Sequence, residues 1–178
     1  MSRVGKSPIY FDKAIQVTIT PKNEVVVKGA KATQTVALRP EIKAKVEDGK
    51  IILECVTEGA GNFWGLNRAL LQNAVTGVTK GWSKELELVG VGYRASVAGK
   101  KLEINVGFSH PVSMIIPEGL EVKVDKQTKI SIAGADRQKV GQFSSVVRAV
   151  KPPEPYRGKG IKYSDEVIRR KEGKAAGK

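Results

Sequence analysis

The chain has 178 residues, 40% of them hydrophobic, which is enough apolar mass for one domain or two small ones and excludes a wholly disordered chain. Thirty-one Lys and Arg face 18 Asp and Glu, a formal net charge of +13, and an excess of that size favours a polyanionic partner, nucleic acid before an anionic membrane surface. Cys55 is the only cysteine and His110 the only histidine, so an intrachain disulfide, a Cys-x-x-Cys metal site and most His-based triads are excluded.

In chain order, the opening MSRVGKSPIYF lacks the apolar core of a signal peptide, and no apolar run approaches the roughly 18 residues of a membrane helix. Four alternating segments follow and read as strands: IQVTI (15–19), EVVVKG (24–29), TQTVAL (33–38) and KIILECV (50–56). Lys22-Asn23 and Asp48-Gly49 carry hairpin chemistry between strands. Cys55 shares a strand face with Ile51 and Leu53, the position of a small core residue rather than a reactive thiol.

The period then changes to helical. Leu66, Leu70, Leu71, Ala74, Val75 and Val78 form an apolar stripe, with Asn62 as the expected N-cap and Gly81 after the end. The segment before it, GAGNFWG (59–65), invites a dinucleotide-loop reading. Its spacing is one residue off that fingerprint and its neighbours read as hairpin strands, so a strand-to-helix loop is expected and no cofactor.

The pattern begins again with KELELVGVGYRASVAGKKLEINVG (84–107), LEVKV (120–124) and KISIAG (129–134). A second helix is predicted after Gly134, with Asp136 as cap and Val140, Phe143, Val146, Val147 and Val150 on its apolar face. Gly90 and Gly92 suggest a strand bulge; Tyr93-Arg94 suits either base stacking or strand packing. Aligning LLQNAV (70–75) with SVVRAV (145–150) gives an offset of 75 residues. The expected fold is therefore α+β: two duplicated small domains, residues 1–81 and 82–150, each an antiparallel sheet on one helix, and then a basic C-terminal extension, 151–178.

That extension holds 9 basic and 4 acidic residues in 28, the densest positive charge in the chain. It begins KPPEPYRGKGIKY. Pro152, Pro153 and Pro155 cannot donate ladder bonds, Gly158 and Gly160 allow close backbone approach, and Tyr156 and Tyr163 offer stacking faces. A solvated tail explains the charge but not the proline frame or the interleaved aromatics. An extended arm lying on an acidic partner explains all three. The carboxylates are scattered singly, without the paired environments that acid–base chemistry needs, so no enzymatic activity is expected.

PEPYRGKGI (153–161) closely resembles the signature of the bacterial large ribosomal subunit protein six family, with Arg157 where Lys is usual. LVGVGYRA (88–95), GFSHPV (107–112), MSRVGK and YSDEVIRRKE (163–172) resemble the same family, so the likeness spans essentially the whole chain. The resemblance implies a two-domain α+β protein in the cytoplasm, part of the large ribosomal subunit. It implies binding to 23S rRNA near the stalk base and the sarcin–ricin loop, beside neighbouring large-subunit and stalk-base proteins, where translational GTPases dock. Tyr156, Arg157, Gly158, Lys159 and Gly160 are assigned to RNA contact by the signature. Lys151, Lys162, Arg169 and Arg170 are added on charge and proximity, and Arg3 and Lys6 on charge. The alternative is a free regulatory RNA-binding module, which would not co-sediment stoichiometrically with large subunits.

Overall fold

The computed structural model describes residues 2–12, 14–30, 32–47, 49–57 and 59–173. Asp48 of the expected Asp48-Gly49 turn and the last five residues of the basic tail lie outside the described residues. The chain divides into two compact units, Met1–Trp82 with Ala135–Arg137, and Ser83–Gly134 with Gln138–Lys178.

In the first unit a short helix α1 (Arg3–Lys6) precedes β1 (Ile9–Tyr10), β2 (Gln16–Ile19), β3 (Glu24–Lys28), β4 (Thr33–Ala37), β5 (Ile42–Glu47), β6 (Lys50–Cys55) and the long helix α2 (Gly61–Thr79). The strands form two three-stranded sheets, β2-β3-β4 and β1-β6-β5, with antiparallel pairings throughout. The division between the sheets falls at Arg39-Pro40, where proline has no N–H to extend a ladder. Period-2 alternation buries Val25 and Val27 of β3 and Ile51 and Leu53 of β6, and these meet Leu71, Val75 and Val78 of α2 in one core. Cys55 is half-buried against that core, its Sγ 3.1 Å from the Thr57 carbonyl. Asn23 adopts φ +61° in the β2–β3 turn, and its amide donates to the carbonyls of Arg39 and Ile42, both at 3.0 Å.

Two helix details differ from the sequence pattern. The N-cap of α2 is Ala60, whose carbonyl accepts the Trp64 N–H at 3.0 Å; Asn62 lies inside the first turn, its Oδ1 taken by the Phe63 N–H. The buried stripe runs through Asn67, Leu71, Ala74, Val75 and Val78, while Leu66 and Leu70 are exposed. At 100° per residue Leu70 lies about 40° past Ala74 at the edge of that face, and Leu66 about 80° past it. Asn67 takes the inward slot instead and satisfies its amide on the Phe63 carbonyl at 2.9 Å.

The remaining elements are β7 (Trp82–Val89), β8 (Arg94–Ala98), β9 (Lys101–Asn105), β10 (Val112–Ile115), β11 (Leu120–Asp125), β12 (Lys129–Gly134), α3 (Arg137–Val150) and β13 (Gly160–Tyr163); all lie in the second unit except the first residues of β7 and α3, Trp82 and Arg137, which fall in the first. One sheet is β10-β9-β8 and the other β11-β12-β7-β13. Each unit is thus antiparallel strands and one long helix, as the duplication reading requires, with the strands shared between two small sheets. Asp136 sits directly before α3, which buries Val140, Phe143, Ser144 and Val147 and leaves Val146 exposed. The buried Ser144 hydroxyl is satisfied by the Val140 carbonyl at 2.7 Å. Gly90 and Gly92 are not in a strand: β7 ends at Val89 and the chain turns, the Tyr93 N–H reaching the Gly90 carbonyl at 3.3 Å.

The larger difference is β13. Residues 160–163 of the supposed extended arm form an edge strand paired antiparallel to β7, with Ile161 opposite Leu88 and fully buried. The apolar Ile161, between Gly160 and Lys162, supplies the reason: burying it removes apolar surface from water, which a free arm would leave exposed.

Candidate nucleic-acid interface

The interface is built from the end of α3 outward. Pro152 and Pro153 stop the helix at Val150, since the residue before a proline is pushed out of helical geometry. The chain then makes a closed excursion. The Ile161 N–H returns to the Lys151 carbonyl at 2.8 Å, the Glu154 N–H donates to the Lys159 carbonyl at 3.0 Å, and the Gly158 N–H to the Glu154 carbonyl at 3.1 Å. A further bond from the Lys171 N–H to the Pro155 carbonyl, 2.8 Å, brings the later tail back across the loop. The result is a braced loop, 152–160, standing between α3 and β13.

Its side chains sort cleanly. Tyr156 and Arg157 are exposed at the turn and Lys159 is half-buried, while Gly158 and Gly160 are buried. Gly158 has φ +72°, and the Arg170 guanidinium lies over it, 3.6 Å from where a Cβ would be. Gly160 has φ +145°, and a Cβ there would fall 2.6 Å from the Pro152 oxygen and from Pro153 Cα. The close approach that these glycines permit is therefore, at Gly160, to the chain's own proline segment. Arg169 and Arg170 are exposed. Arg157, Lys159, Arg169 and Arg170 form no salt bridge among the described residues, so no ion pair there compensates their charge.

Two basic residues expected at the surface are engaged internally. Lys151 donates to the Val106 carbonyl at 2.7 Å, its ammonium 5.2 Å from the Tyr93 ring and 5.0 Å from that of Phe108. Lys162 pairs with Glu87 at 3.3 Å. Tyr163 is half-buried with Lys84 and Arg148 over its ring, at 5.4 and 5.8 Å, so it does not present a free stacking face. Arg3 and Lys6 are exposed on α1 in the first unit. His110 is exposed, its Nδ1 3.4 Å from the Ser109 hydroxyl. The glycine-rich GAGNFWG segment follows β6, whose partners β1 and β5 are both antiparallel, so the parallel unit that a dinucleotide site needs is absent there.

Sequence reasoning missed the brace itself. Arg148 of α3 forks onto Glu166, 2.8 Å from Nε to Oε2 and 2.5 Å from Nη2 to Oε1, and the Tyr163 N–H donates to the same carboxylate at 3.2 Å. Eighteen residues separate the pair, so no local spacing announces it. The Arg148 hydrogen bonds hold the Glu166 carboxyl below its ordinary range, against the opposing effect of burial and with help from the Tyr163 N–H. A depressed folded-state value stabilises above the unfolded pKa, about 4.3, and the contribution is lost as pH falls through the folded value. Glu166→Gln should therefore cost about 1–3 kcal/mol at pH 7 in urea unfolding, and its difference from the parent should shrink below about pH 4. A constant difference across that range would exclude an ionised pair.

The sequence profile described as Ribosomal protein L6 matches residues 89–164, which run from the end of β7 through the braced loop and β13. Over its full length the chain is 55% identical to the large ribosomal subunit protein uL6 of Bdellovibrio bacteriovorus, covering 100% of both. The chain belongs to the ribosomal protein L6 family. Proteins of the same name from Clostridioides difficile and Clostridium perfringens are 50% and 49% identical, the first covering 100% of both chains and the second 98% of both. As a member of the L6 family it is a structural ribosomal protein and not an enzyme.

Proposed function

We propose that the chain works in the cytoplasm as a structural part of the large ribosomal subunit and binds 23S rRNA through the braced loop, holding the RNA fold near the stalk base where translational GTPases dock. The observation that carries the RNA reading is the sorting of the loop: Tyr156 and Arg157 outward, Gly158 and Gly160 inward, and Arg169 and Arg170 exposed alongside. Such a surface neutralises phosphates with its cations and offers one aromatic face to an unstacked base. Tyr156, Arg157 and Lys159 are the contacts in this reading, with Arg169 and Arg170 beside them. Gly158 and Gly160 set the loop's shape, Lys162 contributes a charge shared with Glu87, and Arg3 and Lys6 are available for a separate contact from the first unit. Neighbouring subunit proteins supply the remaining contacts.

The test is a salt titration of binding to a 23S rRNA fragment. Arg157→Ala combined with Lys159→Ala removes two phosphate contacts and should make the slope of log affinity against log salt shallower by roughly 1.4–1.8. Thermal unfolding of the free variant should be unchanged within about 0.5 kcal/mol, because neither side chain is in the core. A slope equal to the parent's would remove the loop from the RNA interface.

A further inference from the structure

We infer that Lys151 is a positioning residue: its ammonium pins the loops at 90–93 and 106–108 to the base of the braced loop, so that they meet RNA as one preorganised surface. The inference rests on the RNA reading above. Lys151 stands one residue past α3, at the point where the excursion both leaves and returns. Its backbone carbonyl closes the loop on the Ile161 N–H at 2.8 Å. Its side chain runs the other way, donating to the Val106 carbonyl between the faces of Tyr93 and Phe108. One residue thus ties the base of the braced loop to the Val106 carbonyl, 45 positions earlier, and to the rings of Tyr93 and Phe108.

An ammonium between two rings, with a carbonyl as acceptor, is held by cation–π attraction and a charge-assisted hydrogen bond. That geometry leaves it poorly placed to neutralise a phosphate. What the pin leaves outside suits RNA: Phe108 is 44% exposed, one ring serving both the pin and the surface, with Ser109 and His110 exposed beside it. Ordering these loops in advance lowers the entropy cost of binding, so the loss of the pin should weaken affinity without removing a phosphate contact.

The experiment uses the full chain with Lys151→Met, which keeps the stem and removes charge and donor, and Lys151→Arg, which keeps both. Binding to the 23S rRNA fragment is titrated with salt at a temperature where melting curves show each variant folded. Lys151→Met should bind about five- to tenfold more weakly with the parental salt slope, and Lys151→Arg should recover most of the loss. A slope shallower by about 0.7–0.9 would make Lys151 a phosphate contact and overturn the inference. So would unchanged affinity with only a lowered melting temperature, which is the signature of a purely structural role. Hydrogen exchange reads the pin without RNA: Lys151→Met should accelerate exchange at the Ile161 amide, which donates to the Lys151 carbonyl, and an unchanged rate would also overturn it. If Lys151→Met does not fold, Phe108→Ala, which removes one ring from the pin, should show the same pattern at smaller size, and parental affinity in it would decide against the inference. Failure of the RNA reading is separate, because it appears as an unaltered slope in the Arg157/Lys159 double variant whatever Lys151 does.

Discussion

Gly160→Ala should destabilise the protein by about 2–6 kcal/mol, and Gly158→Ala by only about 1–2 kcal/mol. Both glycines have positive φ, so a side chain strains the backbone at either. They differ in what the new Cβ meets. At position 160 it falls 2.6 Å from the Pro152 oxygen and from Pro153 Cα, backbone atoms fixed by two rigid rings. Retreat would pull β13 from β7, where Gly160 pairs opposite Val89. At position 158 the nearest atoms, at 3.6 Å, belong to the flexible Arg170 side chain, which can swing away. Urea unfolding of the two single variants measures the difference. Equal and small losses would mean that the proline segment does not hold Gly160, and would return both glycines to a role at the RNA surface.

The parts of the fold legible in the sequence were those with an unbroken period. The alternation in EVVVK and KIILEC placed β3 and β6, and the 3.6-residue recurrence from Leu71 to Val78 placed α2. Elements whose apolar content is thin were not legible. β5, IKAKVE, does alternate, but of its three apolar residues only Ile42 is buried, and β1 has two residues and exists because β6 offers an edge. The helix start failed for a different reason: Asn62 is a good cap by type, but the chain reached helical geometry two residues earlier, at a position with no side-chain cap at all. At the proposed interface, charge and the PEPYRGKGI signature pointed to the loop. They did not say which residues faced in. Lys151, Lys162 and Tyr163 look like surface chemistry in a one-dimensional string, and each is bound instead by a partner 45, 75 or 79 positions away. Long-range pairing of this kind leaves no periodic trace.

Ile161→Ala should cost about 2–5 kcal/mol in unfolding free energy, against less than about 0.5 kcal/mol for Arg157→Ala four residues earlier. Ile161 is fully buried and lies opposite Leu88, with Leu86 also buried on the same strand β7. Truncation to alanine leaves a cavity that two fixed neighbours in a hydrogen-bonded ladder cannot collapse into. Arg157 is exposed at the loop and buries nothing comparable. The two residues therefore separate fold from function within one short segment: the first should lower stability and preserve the salt slope of RNA binding in whatever fraction remains folded, and the second should do the reverse. Removal of residues 151–178 conflates the two. It strips the cations of the loop and at the same time bares the edge of β7, exposing the Leu86 and Leu88 side of the sheet and leaving an unpaired row of N–H and C=O groups. A chain ending at Val150 should show lost or broadened cooperative unfolding, and its failure to bind RNA would say nothing about the arm. If that truncated chain unfolds with the parental midpoint, β13 contributes nothing to the fold and the edge-strand account is wrong.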